Sequence, residues 1–202
     1  MDKRKKSLLI GLVLGDGHLN PRSGVALEIE HGHKQKFYIE YKAKLISELL
    51  NCQKPNLYHR ITKDTYKLSK GHKYFRVLYK WIYKNKIKHF DRRLLNYLTP
   101  EAVALWWMDD GSHTREYNRK TGVIRSHSFH FYTMTNLEDT QNIIDFFKEK
   151  YDIKFYPLKK INKAGEVTYY LKCRTREGRK FSNLIRPYII PGFEYKIMNL
   201  GE

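Results

Sequence analysis

The sequence predicts an α+β chain built as two similar halves. Three observations predict it. An apolar run closed by Asp-Gly occurs twice, at Leu8–Gly17 and at Val103–Gly111, with Asp16 and Asp110 in matching positions 94 residues apart. Each run is followed by the same order of strand-like and helix-like segments, the sign of an internal repeat. The strand-like segments alternate apolar and polar residues, as in antiparallel sheets with one solvated face.

The first run reads as a helix. Leu8 and Leu12 lie on one helical row, Leu9 and Val13 on the next, and Gly11 and Gly15 share a face. Two glycines cost about 1 kcal/mol each relative to alanine, so their placement implies the close approach of another helix. The run is too short to span a bilayer. Gly17 suits a left-handed helix-ending position. Asp16 then falls at the helix C-terminus, the negative end of the macrodipole, and so does Asp110. A carboxylate is favourable there if a cation sits on it. Mg²⁺ is the natural candidate, because it prefers carboxylate and water oxygens.

Along the first half, Asn20–Gly24 is a loop. Val25–Glu30 alternates as a strand, and Phe37–Leu50 is an amphipathic helix with Ile39, Ala43, Ile46, Leu49 and Leu50 inward. Leu57–Thr62 alternates again, a loop surrounds Lys70-Gly71, and Tyr74–Leu78 reads as a strand before a short helix at Trp81-Ile82. Asp91–Leu98 is the connection, which sets the halves at 1–98 and 99–202. Thr99, Pro100 and Glu101 are an N-cap, a first-turn proline and a first-turn acid for the second motif helix. Ile124–Thr133 is a strand. Thr135-Asn136-Leu137-Glu138 has capping-box spacing and opens a helix to Tyr151. Phe155–Ile161 and Val167–Arg174 flank a turn at Asn162–Gly165, and Phe181–Ile185 closes the chain.

Charge points to the partner. Thirty-nine Lys and Arg against 21 Asp and Glu leave +18, with a sequence pI near 9.8. Residues 1–98 carry 22 basic and 8 acidic residues, and residues 99–202 carry 17 and 13. A polyanion offsets such self-repulsion, and nucleic acid is the usual one. The last strand shows a division of labour. Val167, Tyr169, Leu171 and Cys173 fall on one face, and Thr168, Tyr170, Lys172 and Arg174 on the other. A β-ribbon of this kind fits the DNA major groove. Arg60, Thr62, Lys67, Lys73 and Arg76 are the equivalent candidates in the first half, and Arg125 joins Lys172 and Arg174 in the second.

Other chemistries have little support. No run is long enough to span a membrane, and no cleavage-site pattern follows the basic N-terminus. Cys52 and Cys173 lack zinc spacing and read as thiols of a reducing, intracellular compartment rather than a secreted protein. His31-Gly32-His33 has an H-x-H look without further ligands nearby, and a loop or DNA contact explains it better. No Ser/His/acid arrangement is visible around Ser112 and His113.

The paired runs resemble the LAGLIDADG motif of homing endonucleases. Leu9, Gly11, Leu12, Asp16 and Gly17 carry the first match; Ala104, Asp110 and Gly111 carry the second, where Trp106 and Trp107 are bulky departures. Asn96–Pro100 and Ile185–Pro191 with Tyr195-Lys196 are similar to single-chain, double-motif members. The resemblance implies two pseudo-symmetric αββαββα subdomains with antiparallel DNA-binding sheets and motif helices packed at their interface. It implies a monomeric endonuclease that cuts both strands of double-stranded DNA, leaving 3′ overhangs, with two or more Mg²⁺ or substituting Mn²⁺ ions. Asp16 and Asp110 would each bind metal, with the Gly15 and Asp109 carbonyls completing the sites. Asp109 is itself an alternative ligand, and its carboxylate departs from a small-residue position of the pattern. Lys196 matches the basic residue of the second half; Lys86 and Lys88 both fit its counterpart in the first. A host-intron RNA maturase on the same scaffold and a cleavage-inactive DNA-binding regulator are the competing readings.

Overall fold

The computed structural model describes residues 2–22, 24–161 and 165–201. The chain divides into two units, one ending at Lys88 and the other beginning at His89.

In the first unit, α1 (Lys3–Leu14) starts behind Asp2, whose carboxylate accepts from the Lys5 N–H at 2.8 Å. The chain continues through β1 (His18–Asn20), β2 (Ala26–Gly32), a one-turn 3-10 helix (His33–Gln35) and α2 (Lys36–Leu50). Next come β3 (Leu57–Arg60), a 3-10 turn (Ile61–Lys63), β4 (Thr65–Gly71), α3 (Lys73–Ile82) and the short strands β5 (Tyr83–Lys84) and β6 (Ile87–Lys88). The four-stranded sheet has the order β1-β2-β4-β3, and all its pairings are antiparallel. Ile29 and Leu57 both pair with Leu68, which fixes the inward face. Leu27, Ile29 and Leu68 are buried together with Tyr38, Ile39, Ala43 and Ile46 of α2. Each large apolar side chain so buried contributes about 1.5–3 kcal/mol. The opposite face carries Glu28, Glu30, Tyr58, Arg60 and Lys67.

The second unit contains α4 (Arg92–Leu95), α5 (Pro100–Asp110), β7 (Gly111–Tyr117), β8 (Ile124–Thr135), α6 (Leu137–Tyr151), β9 (Tyr156–Ile161), β10 (Val167–Arg174) and α7 (Thr175–Ile185). Two 3-10 turns follow, Arg186–Tyr188 and Glu194–Lys196. Its sheet order, β7-β8-β10-β9, repeats that of the first unit. Its core is aromatic. Trp107 meets Phe129, Phe131 and Phe181 with ring centroids 5.9, 5.2 and 4.8 Å away. The two repeats of sheet and helices match the α+β expectation of two similar halves.

Several local readings change. Tyr74–Leu78 is helical, within α3. The His72 side chain caps it by accepting from the Tyr74 N–H at 3.2 Å, and Phe75, Leu78 and Ile82 form its buried stripe. The strand of this hairpin lies earlier, at β4, whose end at Lys70-Gly71 was expected to be loop. β1 and β7, each starting at or just after the motif glycine, lie where the sequence assigns no element, apart from Asn20, which falls at the edge of the expected loop. The α6 cap is Asn136 rather than Thr135. Asn136 accepts from the Asp139 N–H at 2.8 Å, while the Thr135 hydroxyl donates to the Asp139 carboxylate at 3.2 Å. The chain divides into its two units between Lys88 and His89, and the sequence reading places the halves at 1–98 and 99–202. The connecting segment packs with the second unit: Phe90 N–H donates to Asp139 at 3.1 Å, Arg92 pairs with Glu149, and Lys150 donates to the Leu98 carbonyl at 2.6 Å. Of the turn at Asn162–Gly165, residues 162–164 lie outside the described residues. Among the described residues, no helix is long and apolar enough to cross a membrane.

Candidate active site

Each motif helix ends against a lysine. In the first unit α1 stops at Leu14, and Gly15 and Gly17 donate back to Gly11 and Leu12 at 3.2 and 3.0 Å. A helix end leaves carbonyls without intrahelical partners, and they lie at the negative end of the dipole. Lys88 Nζ takes the carbonyls of Leu14, Gly15 and Gly17 at 3.3, 2.9 and 3.3 Å. An ammonium has three donors, and here three acceptors face it.

The second unit repeats the arrangement. Lys196 Nζ donates to the carbonyls of Met108 and Asp109 at 2.6 and 3.4 Å. Counted from the paired acids, Met108 corresponds to Leu14 and Asp109 to Gly15. The Lys196 carbonyl is in turn pinned by the Trp107 indole N–H at 3.0 Å. Lys196 is therefore buried.

This geometry separates the two candidates of the first half. Lys88 reaches the motif helix. Lys86 is exposed in the β5–β6 turn, with φ of 64°.

Asp16 lies two residues beyond α1, and Asp110 is the last residue of α5. Gly17 does not take the expected left-handed conformation, since it is absent from the positive-φ glycines. What it provides is room: a Cβ there would stand 2.3 Å from the Leu12 carbonyl oxygen, and one on Gly111 would stand 2.1 Å from the Trp107 ring.

The two acids have different neighbours. Asp16 is 38% exposed, and its Oδ2 lies 3.6 Å from Nδ1 of buried His31. His31 Nε2 is 2.9 Å from Nζ of Lys42, which has no exposed surface. Tyr38 steadies the pair, with its ring 4.2 Å from Lys42 Nζ and 5.0 Å from the His31 ring. Asp110 Oδ2 instead accepts from the Trp106 indole N–H at 3.1 Å. Trp106 is held by Phe90, stacked at 5.4 Å, and Phe131 at 4.5 Å.

The donor set suits a hard cation. Asp16 and Asp110 offer carboxylate oxygens, and the Gly15 and Asp109 carbonyls, each with a second lone pair, offer neutral oxygens.

The sheet faces carry the remaining candidates. Arg60 and Lys67 are on the outer face of the first sheet, paired with acids. Arg60 meets Glu30 at 2.9 Å, and Lys67 meets Glu28 at 2.8 Å. The Lys67 hydrogen bond holds the Glu28 carboxyl below its usual range. Glu30 is held low first by the Thr65 hydroxyl and then by Arg60. Thr62 is exposed in the 3-10 turn. Lys73 and Arg76 were grouped with the sheet, but they lie on α3, which is a helix because His72 caps it and its apolar spacing is helical. Arg125 is on β8, and Lys172 and Arg174 on β10. Leu171 and Cys173 are buried as expected, and burial pushes the Cys173 thiol up.

The outer face of the second sheet also holds Tyr132 and Tyr170, stacked at 5.1 Å, beside His130. Burial lowers the His130 pKa, and Lys172 lowers it further.

Sequence reasoning missed His31, Lys42 and Trp106 as neighbours of the acids. Trp106 was signalled by its i,i+4 spacing to Asp110; the other two sit 15 and 26 residues beyond Asp16, with no local signal.

Comparison with known proteins converges on one group. A family model described as the LAGLIDADG DNA endonuclease family matches residues 6–181. A protein named RecA from Mycobacterium shimoidei is 28% identical over 200 residues, covering 95% of this chain and 45% of that protein. The chain thus spans about half the length of the first curated relatives it matches. A probable intron-encoded endonuclease 1 from Wickerhamomyces canadensis is 28% identical over 210 residues, covering 98% of this chain and 85% of that protein. The solved structure of the homing endonuclease I-WcaI bound to its DNA recognition sequence aligns with TM-score 0.76 and 27% identity, over 98% of this chain and 87% of that one.

Proposed function

We propose, from the premise that the chain belongs to the LAGLIDADG DNA endonuclease family, that it is a site-specific homing endonuclease. It hydrolyses one phosphodiester in each strand of a long double-stranded DNA target. The observation that carries this reading is the repeated helix end: one acid and one buried or half-buried lysine on the helix-end carbonyls in each unit, three carbonyls at Lys88 and two at Lys196. The matched lysine geometry supports a shared chemical task rather than two ordinary Asp-Gly turns.

In this reading Asp16 and the Gly15 carbonyl hold one divalent ion, and Asp110 and the Asp109 carbonyl hold another. Mg²⁺, or Mn²⁺ in its place, supplies Lewis-acid stabilisation of the phosphoryl charge and a more acidic water. Lys88 and Lys196 fix the helix-end carbonyls and bring a positive charge to each acid's end of the helix, where negative charge develops in hydrolysis. Each acid serves one strand. The outer sheet faces bind the DNA. Arg60, Lys67, Arg125, Lys172 and Arg174 meet phosphates and base edges, with an electrostatic contribution that weakens as salt rises. The chain acts as a monomer, because it supplies both acids itself.

Sequencing DNA ends after incubation with fragmented candidate host genomes, with Mg²⁺ and with EDTA, tests the proposal. Recurrent Mg²⁺-dependent paired breaks at one sequence are expected. Tight duplex binding without breaks would contradict it and favour a regulator. Preferential binding of structured intron RNA over duplex DNA would favour the maturase reading.

A further inference from the structure

The H-x-H pair His31-Gly32-His33 splits between two environments. His31 turns into the core toward Asp16. His33 opens the 3-10 turn after β2, on the outside, where it joins His59 of β3 and Asp64 at the tip of the β3–β4 hairpin. His33 Nδ1 and His59 Nε2 lie 3.6 and 3.3 Å from the same oxygen, Asp64 Oδ1. All three atoms fall within 4.8 Å of one another.

Two further features hold the cluster in place. Asp64 sits at φ of 48° and accepts on its carbonyl from the His33 N–H at 3.0 Å. Tyr66 backs both rings, stacked on His59 at 4.6 Å and tilted against His33 at 5.6 Å.

We propose that His33, His59 and Asp64 form a second metal site, for a borderline divalent transition ion of the Zn²⁺ type. Ligand atoms around tetrahedral zinc, with bonds of about 2.0–2.1 Å, stand about 3.3–3.4 Å apart, close to the separations of both imidazole nitrogens from Asp64 Oδ1. Two imidazoles and one carboxylate suit Zn²⁺, Co²⁺ or Ni²⁺ and are a poor set for Mg²⁺ or Ca²⁺, which take oxygens. All three residues are exposed, so water fills the fourth position. The ion clamps the hairpin tip to the end of β2. This site uses none of the groups assigned to DNA cleavage.

Titration of the full chain with Zn²⁺ alone, in chelator-treated buffer and without DNA, tests the site by calorimetry. One tight ion per chain is expected, above weaker binding at the Asp16 and Asp110 oxygens, with the affinity of the tight phase reduced at least tenfold in His59→Ala and in Asp64→Asn, and unchanged in Asp16→Asn. Because the three side chains are exposed, these variants should keep the wild-type circular dichroism. Co²⁺ should give visible bands without a thiolate charge-transfer band. Absence of binding would overturn the proposal. So would binding that survives His59→Ala and Asp64→Asn, binding lost in Asp16→Asn, or a thiolate band, which would assign the ion to Cys52.

Discussion

The two units end their motif helices alike and hold their acids differently. Lys88 and Lys196 come from unrelated sequence surroundings, yet they reach corresponding carbonyls. The acids beside those carbonyls face different partners: an imidazole backed by a buried lysine at Asp16, and an indole N–H at Asp110. The difference separates what helix geometry demands from what it leaves open. Orphan carbonyls at the negative end of a helix call for a cation in both units. The neighbour beside each carboxylate is not fixed by the helix end, and each unit uses the one its own core supplies. The aromatic second core offers Trp106. The first places Leu12 at the corresponding helix position and draws on β2 and α2 instead.

The largest effect should come from the acids themselves. Asp16→Asn and Asp110→Asn are each expected to lower double-strand cleavage by about a hundredfold or more, the scale of losing a charge-stabilising group. Duplex affinity in a gel-shift assay should stay near that of the wild type. Cleavage at the wild-type rate in either variant would remove that acid from the site.

Next are the lysines, where the units are alike. Lys196→Met leaves buried carbonyls unpaired and should cost about 1–3 kcal/mol of stability by denaturant unfolding. Lys88→Met should cost less, because Lys88 is only half-buried. Both should slow cleavage, while Lys86→Met should leave it unchanged. Equal effects from Lys86 and Lys88 would dissolve the parallel.

A smaller effect concerns the outer faces of the two sheets. Glu28 and Glu30 neutralise Lys67 and Arg60, whereas Glu116 on the second sheet bonds to the Ser126 and Ser128 hydroxyls at 2.7 and 3.3 Å. Glu28→Gln with Glu30→Gln should raise affinity for non-specific duplex and steepen its salt dependence. Glu116→Gln should change the salt slope less.

The smallest effect is on stability against pH. Lys67 lowers the Glu28 pKa, so that contribution is complete above the unfolded value near about 4.3 and is lost as pH falls through the folded value. Melting temperature should therefore drop between about pH 5 and about pH 3, and drop less in Glu28→Gln.

Much of this was legible in the sequence, for reasons that can be named. The motif acids and Lys196 were marked by a repeat and by family resemblance. α2 and β10 followed from periodicity, while α5, buried all round from Ala102 to Met108, was marked by the repeated motif and by Thr99-Pro100 at its start. α3 was misread because Tyr74, Phe75 and Val77 favour strands, and its cap, His72, is not among the usual capping residues. Tertiary packing of Phe75, Leu78 and Ile82 decided the matter. Lys88 could not be told from Lys86 because the choice depends on the β5–β6 turn, in which Lys88 pairs with Tyr83. Arg60 and Lys67 were visible as basic residues, but their acid partners lie across strands, where register and not sequence distance brings them together.

The central claim is that each acid, in its own setting, serves one strand. Plasmid carrying the recurrent break site, treated with His31→Ala or with Trp106→Phe, gives the most direct test when nicked product is mapped strand by strand. Both variants should accumulate nicks, and the strand left intact in one should be the strand cut in the other. Nicks on the same strand in both variants, or spread equally over both strands, would contradict the account.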